Sequence, residues 1–205
     1  KESVAELLKY AGLYRHSLDQ PLEAGIPYLI RLNEKFQLSD QVKAVASPKS
    51  SVGRIFFHVR LLGEYGGTFD RLPRGYHGNL WALAISRIFP LKIQPGIPAL
   101  QVRFSYGGCR LTREDLVSAY SIHPFLWMPD GNPIDMNYIT VDDEDGGFIT
   151  RLDLESRIAA WKPRRAPEEV FDLSAPPNAY TPSSFFEVVE RPKSGSLMLD
   201  VASGY

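Results

Sequence analysis

Residues 47–61 read SPKSSVGRIFFHVRL. The first eight make a small polar loop with a lysine, two adjacent hydroxyls, a glycine and an arginine. The rest is an Ile, Phe and Val run that predicts a β-strand over 54–61. Such a loop can present backbone N–H groups, hydroxyl donors and two cations to a single anion. It reads equally as an ordinary serine-rich β-turn, and the residue chemistry leaves both readings open.

The same signature recurs on either side. Short apolar runs lie between turn signals at 28–32, 41–46, 54–61, 80–85, 91–93 and 100–104, the pattern of an all-β sandwich or barrel. Gly66-Gly67, Gly75, Gly78 and Pro95-Gly96 punctuate them as turns. Two segments predict helices instead. Over 4–10, apolar residues fall at Val4, Leu7, Leu8 and Ala11, and 112–120 opens with Thr112 followed three residues later by Asp115, a capping box. From 121 to 147 the composition turns to Pro, Asp, Asn and Gly. Its acidic run, Asp142, Asp143, Glu144 and Asp145, reads as a solvated turn, because no ligand pattern for a metal surrounds it. Beyond it, 148–154 alternates like a strand, a Pro-rich stretch covers 161–182, and 184–189 and 196–201 look like further strands. The expected organisation is a first domain over 1–120, a linker over 121–147 and the start of a second domain over 148–205.

With 205 residues, 44% of them hydrophobic and 12% aromatic, the chain can bury a substantial core. Its 23 basic and 24 acidic residues give no global field for a nucleic acid or an anionic membrane, so an anion has to be bound locally. No run approaches the roughly 18–20 apolar residues of a membrane span. The N-terminus lacks the pattern of a signal peptide, and the expected compartment is the cytoplasm. The single cysteine, Cys109, excludes an intrachain disulfide, and His16, His58, His77 and His123 are not at zinc-ligand spacing. Neither the His-x-Glu nor the Pro-Cys-x-x-Cys segment of zinc-dependent nucleobase deaminases occurs, so any deamination would proceed without zinc. A start at Lys1 and a stop directly after a strand-like run suggest a piece of a longer protein.

Three segments together resemble the dCTP deaminase and dUTPase family. SPKSSVGR at 47–54 is similar to its pair of serines or small residues followed by glycine or alanine and arginine. DRLPRGYHGNLWAL at 70–83 is similar to its aspartate, aromatic, x, glycine segment leading into a strand. PGIPALQVRF at 95–104 is similar to its proline-glycine turn, glutamine and apolar strand. They follow the family's order across 22–104. The tandem-domain bacterial dCTP deaminase-like proteins look nearer still, since 69–78 fits their Phe-Asp-x-x-Pro-x-Gly-Tyr-x-Gly segment and Phe89-Pro90 their Phe-Pro pair.

The resemblance implies a mainly β, dUTPase-like distorted jelly-roll or β-barrel with one or two short helices. It implies units packed about a threefold or pseudo-threefold axis, with sites between them. It further implies hydrolytic deamination of dCTP to dUTP and ammonia by the full-length protein, with Mg²⁺ bound through the triphosphate. The expected partners are dCTP or dUTP and further units of the same kind, with no nucleic acid and no membrane. On the same resemblance, Lys49, Ser50, Ser51 and Arg54 would bind the triphosphate or orient a neighbouring unit's carboxylate. Asp70, Tyr76 and Gln101 are candidates near the sugar or base, weighed against a turn-capping aspartate, a core aromatic and a strand-edge amide. His58 and His77 read as structural, and Arg60, Arg71 and Arg74 as surface charges.

One departure bears on chemistry. In the family, the strand after the aromatic-x-glycine segment carries a glutamate that acts as general base for water attack at cytosine C4. Ungapped counting from Tyr76 and Gly78 places that position on Leu83, and no Asp or Glu lies between Asp70 and Ile93. A leucine cannot move a proton. The general base is therefore expected outside this chain. A dUTPase-like diphosphatase and a non-catalytic nucleotide-binding or scaffolding domain are the alternatives, and Leu83 favours the second for this chain by itself.

Overall fold

The computed structural model describes residues 2–13, 15–108, 111–142 and 147–193. In chain order its elements are α1 (Val4–Tyr10), β1 (Pro27–Gln37), β2 (Val42–Pro48), α2 (Ser50–Gly53), β3 (Phe57–Gly63), β4 (Arg71–Leu72), β5 (His77–Ser86), β6 (Leu91–Lys92) and β7 (Leu100–Tyr106). These are followed by α3 (Arg113–Ile122), β8 (Thr140–Val141), β9 (Phe148–Ile149), β10 (Ile158–Pro163), β11 (Phe171–Asp172), α4 (Pro182–Phe185) and β12 (Phe186–Glu190). The protein is mainly β with short helices, the dUTPase-like class that the sequence implies. No helix among the described residues is long and apolar enough to cross a membrane. Contacts divide the described residues into two compact units, one from 1–107 with 161–189 and the other from 108–160 with 190–205.

In the first unit, β5 is the middle strand of an antiparallel sheet ordered β1-β5-β3, and β2 is the middle strand of a second ordered β4-β2-β7. Strand alternation decides which face packs. In β3, Phe57, Val59 and Leu61 are buried while His58 and Arg60 stay exposed. Leu61 and Leu80 of the first sheet meet Ala44, Ala46 and Leu72 of the second, with Tyr76 beside them. Val52, Phe57, Val59, Ala82 and Ala84 join Leu22, Phe89 and Leu91 in the other half of the core. Each large side chain buried contributes about 1.5–3 kcal/mol, more than the whole spread of strand propensity, so packing sets the register.

The predicted strand at 54–61 starts late. Residues 50–53 take one helical turn, Phe56 adopts a φ of 58°, and pairing begins only at Phe57. Val52 is the cause: fully buried in the core, it draws the SSVG segment inward before the chain can extend.

The boundary of the first unit also differs from the sequence division. Phe171, Tyr180 and Phe185, from the stretch expected to open a second domain, pack as a ring cluster around Phe89. β11 pairs in parallel with β6, and the Arg164 N–H donates to the Phe185 carbonyl at 2.8 Å. The Phe89 end of the core covers the apolar surface of these aromatics. The 184–189 strand is in turn α4 followed by β12.

In the second unit, Thr112 and Asp115 form the expected capping box at the start of α3. Tyr120, at its buried face, packs edge-on against Phe125 and Phe148 and donates its hydroxyl to the Ile134 carbonyl at 2.6 Å. Of the predicted 148–154 strand only Phe148–Ile149 pairs, with Thr140–Val141. Leu152 is 86% exposed, and Asp153 turns the chain by accepting the Glu155 and Ser156 amides at 2.9 and 3.1 Å. The predicted 196–201 strand, Cys109 and residues 143–145 of the acidic run lie outside the described residues.

Where β3 ends, Glu64 is buried, 5% exposed, and its carboxylate accepts the Trp81 indole N–H at 3.2 Å and the Ala5 amide at 3.3 Å. Asn79 adds a side-chain hydrogen bond, and Arg31 donates in turn to Asn79 Oδ1 at 3.2 Å. A carboxylate at the start of α1 also complements the helix dipole. Gly78 permits this arrangement: it has a φ of 147°, and a Cβ there would come within 3.2 Å of both Glu64 Cβ and the Tyr76 hydroxyl. Burial raises the Glu64 pKa, but the bonds from Asn79, Trp81 and Ala5 and the charge of Arg31 outweigh it, holding the carboxyl below the ordinary glutamate range. Glu64→Gln is therefore expected to destabilise the protein at neutral pH by about 1.5–3 kcal/mol, the worth of hydrogen bonds to a charged group. With a depressed folded-state pKa, this contribution is full above the unfolded-state carboxylate value and is lost as pH falls through the folded one. The difference in thermal midpoint between wild type and variant should narrow on acidification, and a pH-independent difference would contradict the assignment.

Candidate functional site

The SPKSSVGR segment is held at both ends and open in the middle. Ser47 and Pro48 close β2, where Ser47 faces Gln101 and Pro48 faces Leu100 across the ladder with β7. The Lys49 amide donates to the Ala99 carbonyl at 3.0 Å, tying the segment to the stretch after the Pro95-Gly96 turn. The amides of Val52 and Gly53 donate to the Lys49 carbonyl at 2.9 and 3.0 Å, and that of Arg54 to the Ser50 carbonyl at 3.0 Å. Val52 points into the core while Ser50, Ser51, Gly53 and Arg54 remain exposed and Lys49 half-buried. Neither Lys49 nor Arg54 is in an ion pair among the described residues. Two hydroxyls and two cations are thus displayed on one anchored turn, a donor set suited to a phosphate group.

Gln101 belongs to the same neighbourhood, donating from Nε2 to Ser47 Oγ at 3.1 Å. Asp70 and Tyr76 serve the scaffold. The Asp70 carboxylate accepts the Leu61 amide at 2.8 Å and pairs with Arg60, whose guanidinium lies 5.2 Å from the Phe69 ring centre. Its carbonyl accepts the Ala46 amide at 2.8 Å, so Asp70 joins β2 to β3. Tyr76 is buried in the core, where its hydroxyl accepts the Glu64 amide at 2.8 Å and donates to the Asn79 carbonyl. Burial raises its pKa and keeps the phenol protonated.

Leu83 lies mid-strand in β5, half-buried, opposite Leu29 of β1 and Arg60 of β3. Alternation puts it on the face turned away from Ala82 and Ala84, the face that also carries Trp81. His58 sits on that face opposite Ile85. Partial desolvation by its neighbours, followed by the charges of Arg87 and Arg60, lowers its pKa. Among the described residues no group of three or more His, Cys, Asp or Glu is placed to hold a metal.

Sequence reading did not single out Glu64. The signal was present: a lone acid wedged between the end of an alternating strand and Tyr65-Gly66-Gly67. Its partners come from α1, β1 and β5, which no local pattern reveals.

Asp70 has a φ of 62°, a left-handed conformation that Asn and Asp tolerate best. Asp70→Ala should lose about 1–2 kcal/mol to backbone strain and about 1 kcal/mol with the Leu61 hydrogen bond. Asp70→Asn keeps both features and gives up an exposed ion pair worth less than about 1 kcal/mol. Chemical denaturation should rank the two variants in that order, and equal losses would count against the scaffold role.

Residues 1–108 match the family model of the 2'-deoxycytidine 5'-triphosphate deaminase N-terminal domain. Among solved structures, the chain is similar to the crystal structure of 2'-deoxycytidine 5'-triphosphate deaminase from Agrobacterium tumefaciens, with a TM-score of 0.74 and 22% identity. That alignment covers 92% of this chain and 52% of the other, so this chain spans about half the length of that protein. At such identity the likeness speaks to the fold. No curated protein sequence matches the chain.

Proposed function

The chain belongs to the 2'-deoxycytidine 5'-triphosphate deaminase family, and we propose that it supplies the triphosphate-binding part of a protein that, at full length, deaminates dCTP hydrolytically to dUTP and ammonia. The observation that carries this reading is the anchored turn at 49–54, which displays Lys49, Ser50, Ser51 and Arg54 to solvent within the family-matching residues. Mg²⁺ would arrive with the nucleotide as part of the substrate, and no zinc takes part. Gln101, beside Ser47, is placed to extend the site toward sugar or base. The general base would come from a second unit of the same kind, packed about a threefold or pseudo-threefold axis, because Leu83 carries no proton acceptor. The whole protein would work in the cytoplasm.

Leu83 also favours a second reading, in which the domain binds nucleotide or scaffolds a partner without catalysis. A dUTPase-like diphosphatase has less support: it needs an aspartate free to activate water, and Asp70 is committed to Leu61 and Arg60.

In the full-length protein, Arg54→Ala should weaken dCTP binding about tenfold to a hundredfold, the loss of one charge-assisted contact of roughly 1.5–3 kcal/mol. Its thermal midpoint should change little, since the side chain is exposed. Ser51→Ala should act in the same direction and more weakly. Unchanged affinity in both variants would reduce SPKSSVGR to a turn, and a fall in stability or assembly without loss of affinity would instead make Arg54 a structural arginine. The isolated 205-residue chain, purified away from host deaminases, should release ammonia from dCTP no faster than a buffer blank; release above the blank would overturn the assignment of the base to another unit.

A further inference from the structure

A cleft of about 460 Å³ lies under the β3–β4 connection, and none of residues 49–54 lines it. The charged residues of its wall are Lys43, Arg71 and Arg74, with no Asp or Glu among them. Register explains the convergence. Ala44 pairs with Leu72 and Val45 with Arg71, so the alternation that sends Ala44 and Leu72 into the core turns Lys43 and Arg71 outward. Arg74 joins them from the β4–β5 loop, its Nη2 donating to the Gly107 carbonyl at 3.4 Å. None of the three is in an ion pair among the described residues.

The roof is the Gly66-Gly67-Thr68 turn. The two glycines have φ values of 69° and 110°, and a Cβ on either would meet nothing within 4 Å, so the space before their backbone is open. Buried Leu72 and Tyr76 form an apolar floor, against which a bound charge is less screened than on open surface. The volume falls within the range of about 300–1,000 Å³ usual for small-molecule sites. Three cations around one apolar-floored hollow, with no carboxylate to neutralise them, attract a compact anion. Sequence reading had counted Arg71 and Arg74 as separate surface charges.

We propose that this cleft is a second anion site, taking a phosphate-bearing small molecule and independent of the turn at 49–54. Inorganic pyrophosphate is the probe, titrated calorimetrically into full-length protein at low salt. Arg54→Ala, which weakens the other turn, should still bind pyrophosphate. Adding Lys43→Gln and Arg71→Gln to it should cut that affinity at least tenfold, and raising the salt should weaken what the cleft binds. Arg74→Gln in the Arg54→Ala background gives a milder loss of the same kind and serves if the triple variant has a lowered thermal midpoint. Failure of Arg54→Ala to bind pyrophosphate, or equal affinity with and without the cleft substitutions, overturns the proposal. Loss of dCTP affinity in Arg54→Ala with pyrophosphate binding retained supports both sites, while unchanged dCTP affinity sinks the reading of the turn and leaves the cleft standing.

Discussion

Strand β5 has to satisfy two neighbours at once, and much of the first unit depends on that. Its backbone pairs with β1 from His77 to Ile85 and with β3 from Leu80 to Ser86, so its register cannot be shifted against one neighbour without breaking the ladder with the other. A slip of one residue would drive Trp81 and Leu83 into the space that Ala82 and Ala84 fill, overpacking the core and exposing the small side chains. The pairing therefore assigns each β5 side chain a face before any ligand is considered. It puts Leu83 on the outer face and leaves the inner face to packing alone.

The same constraint separates scaffold from site. The groups nearest the β3–β5 connection, the Tyr76 hydroxyl and the Asp70 and Glu64 carboxylates, are consumed by backbone amides, an indole and a guanidinium. The uncommitted cations lie instead on the outward face of β2 and β4 and on the turn that follows β2. Lys49 to Arg54 lie past the end of β2, while Lys43 on its exposed face meets Arg71 of the adjacent β4.

Much of this was legible in the sequence, and the rest was hidden for identifiable reasons. The strands at 28–32, 41–46, 80–85 and 100–104 and the Thr112 capping box are recognisable because alternation and capping are local signals. Residues 50–53 were not recognisable as a helical turn, since four residues have no periodicity and the cause is the burial of Val52 by residues distant in sequence. The placement of Phe171, Tyr180 and Phe185 depends on Phe89, roughly eighty to a hundred residues earlier, and no local pattern distinguishes them from the start of a second domain. The Lys, Ser and Arg composition of the 49–54 turn is visible in the sequence, whereas the cleft at Lys43, Arg71 and Arg74 required the β2–β4 register.

The backbone at Gly78 sets a requirement that is independent of any ligand. A side chain at position 78 would be strained at a φ of 147° and would press against Glu64 and the Tyr76 hydroxyl, so the backbone itself asks for glycine there whether or not a reaction takes place. The fold by itself thus accounts for this glycine, and its presence speaks to architecture and not to any reaction.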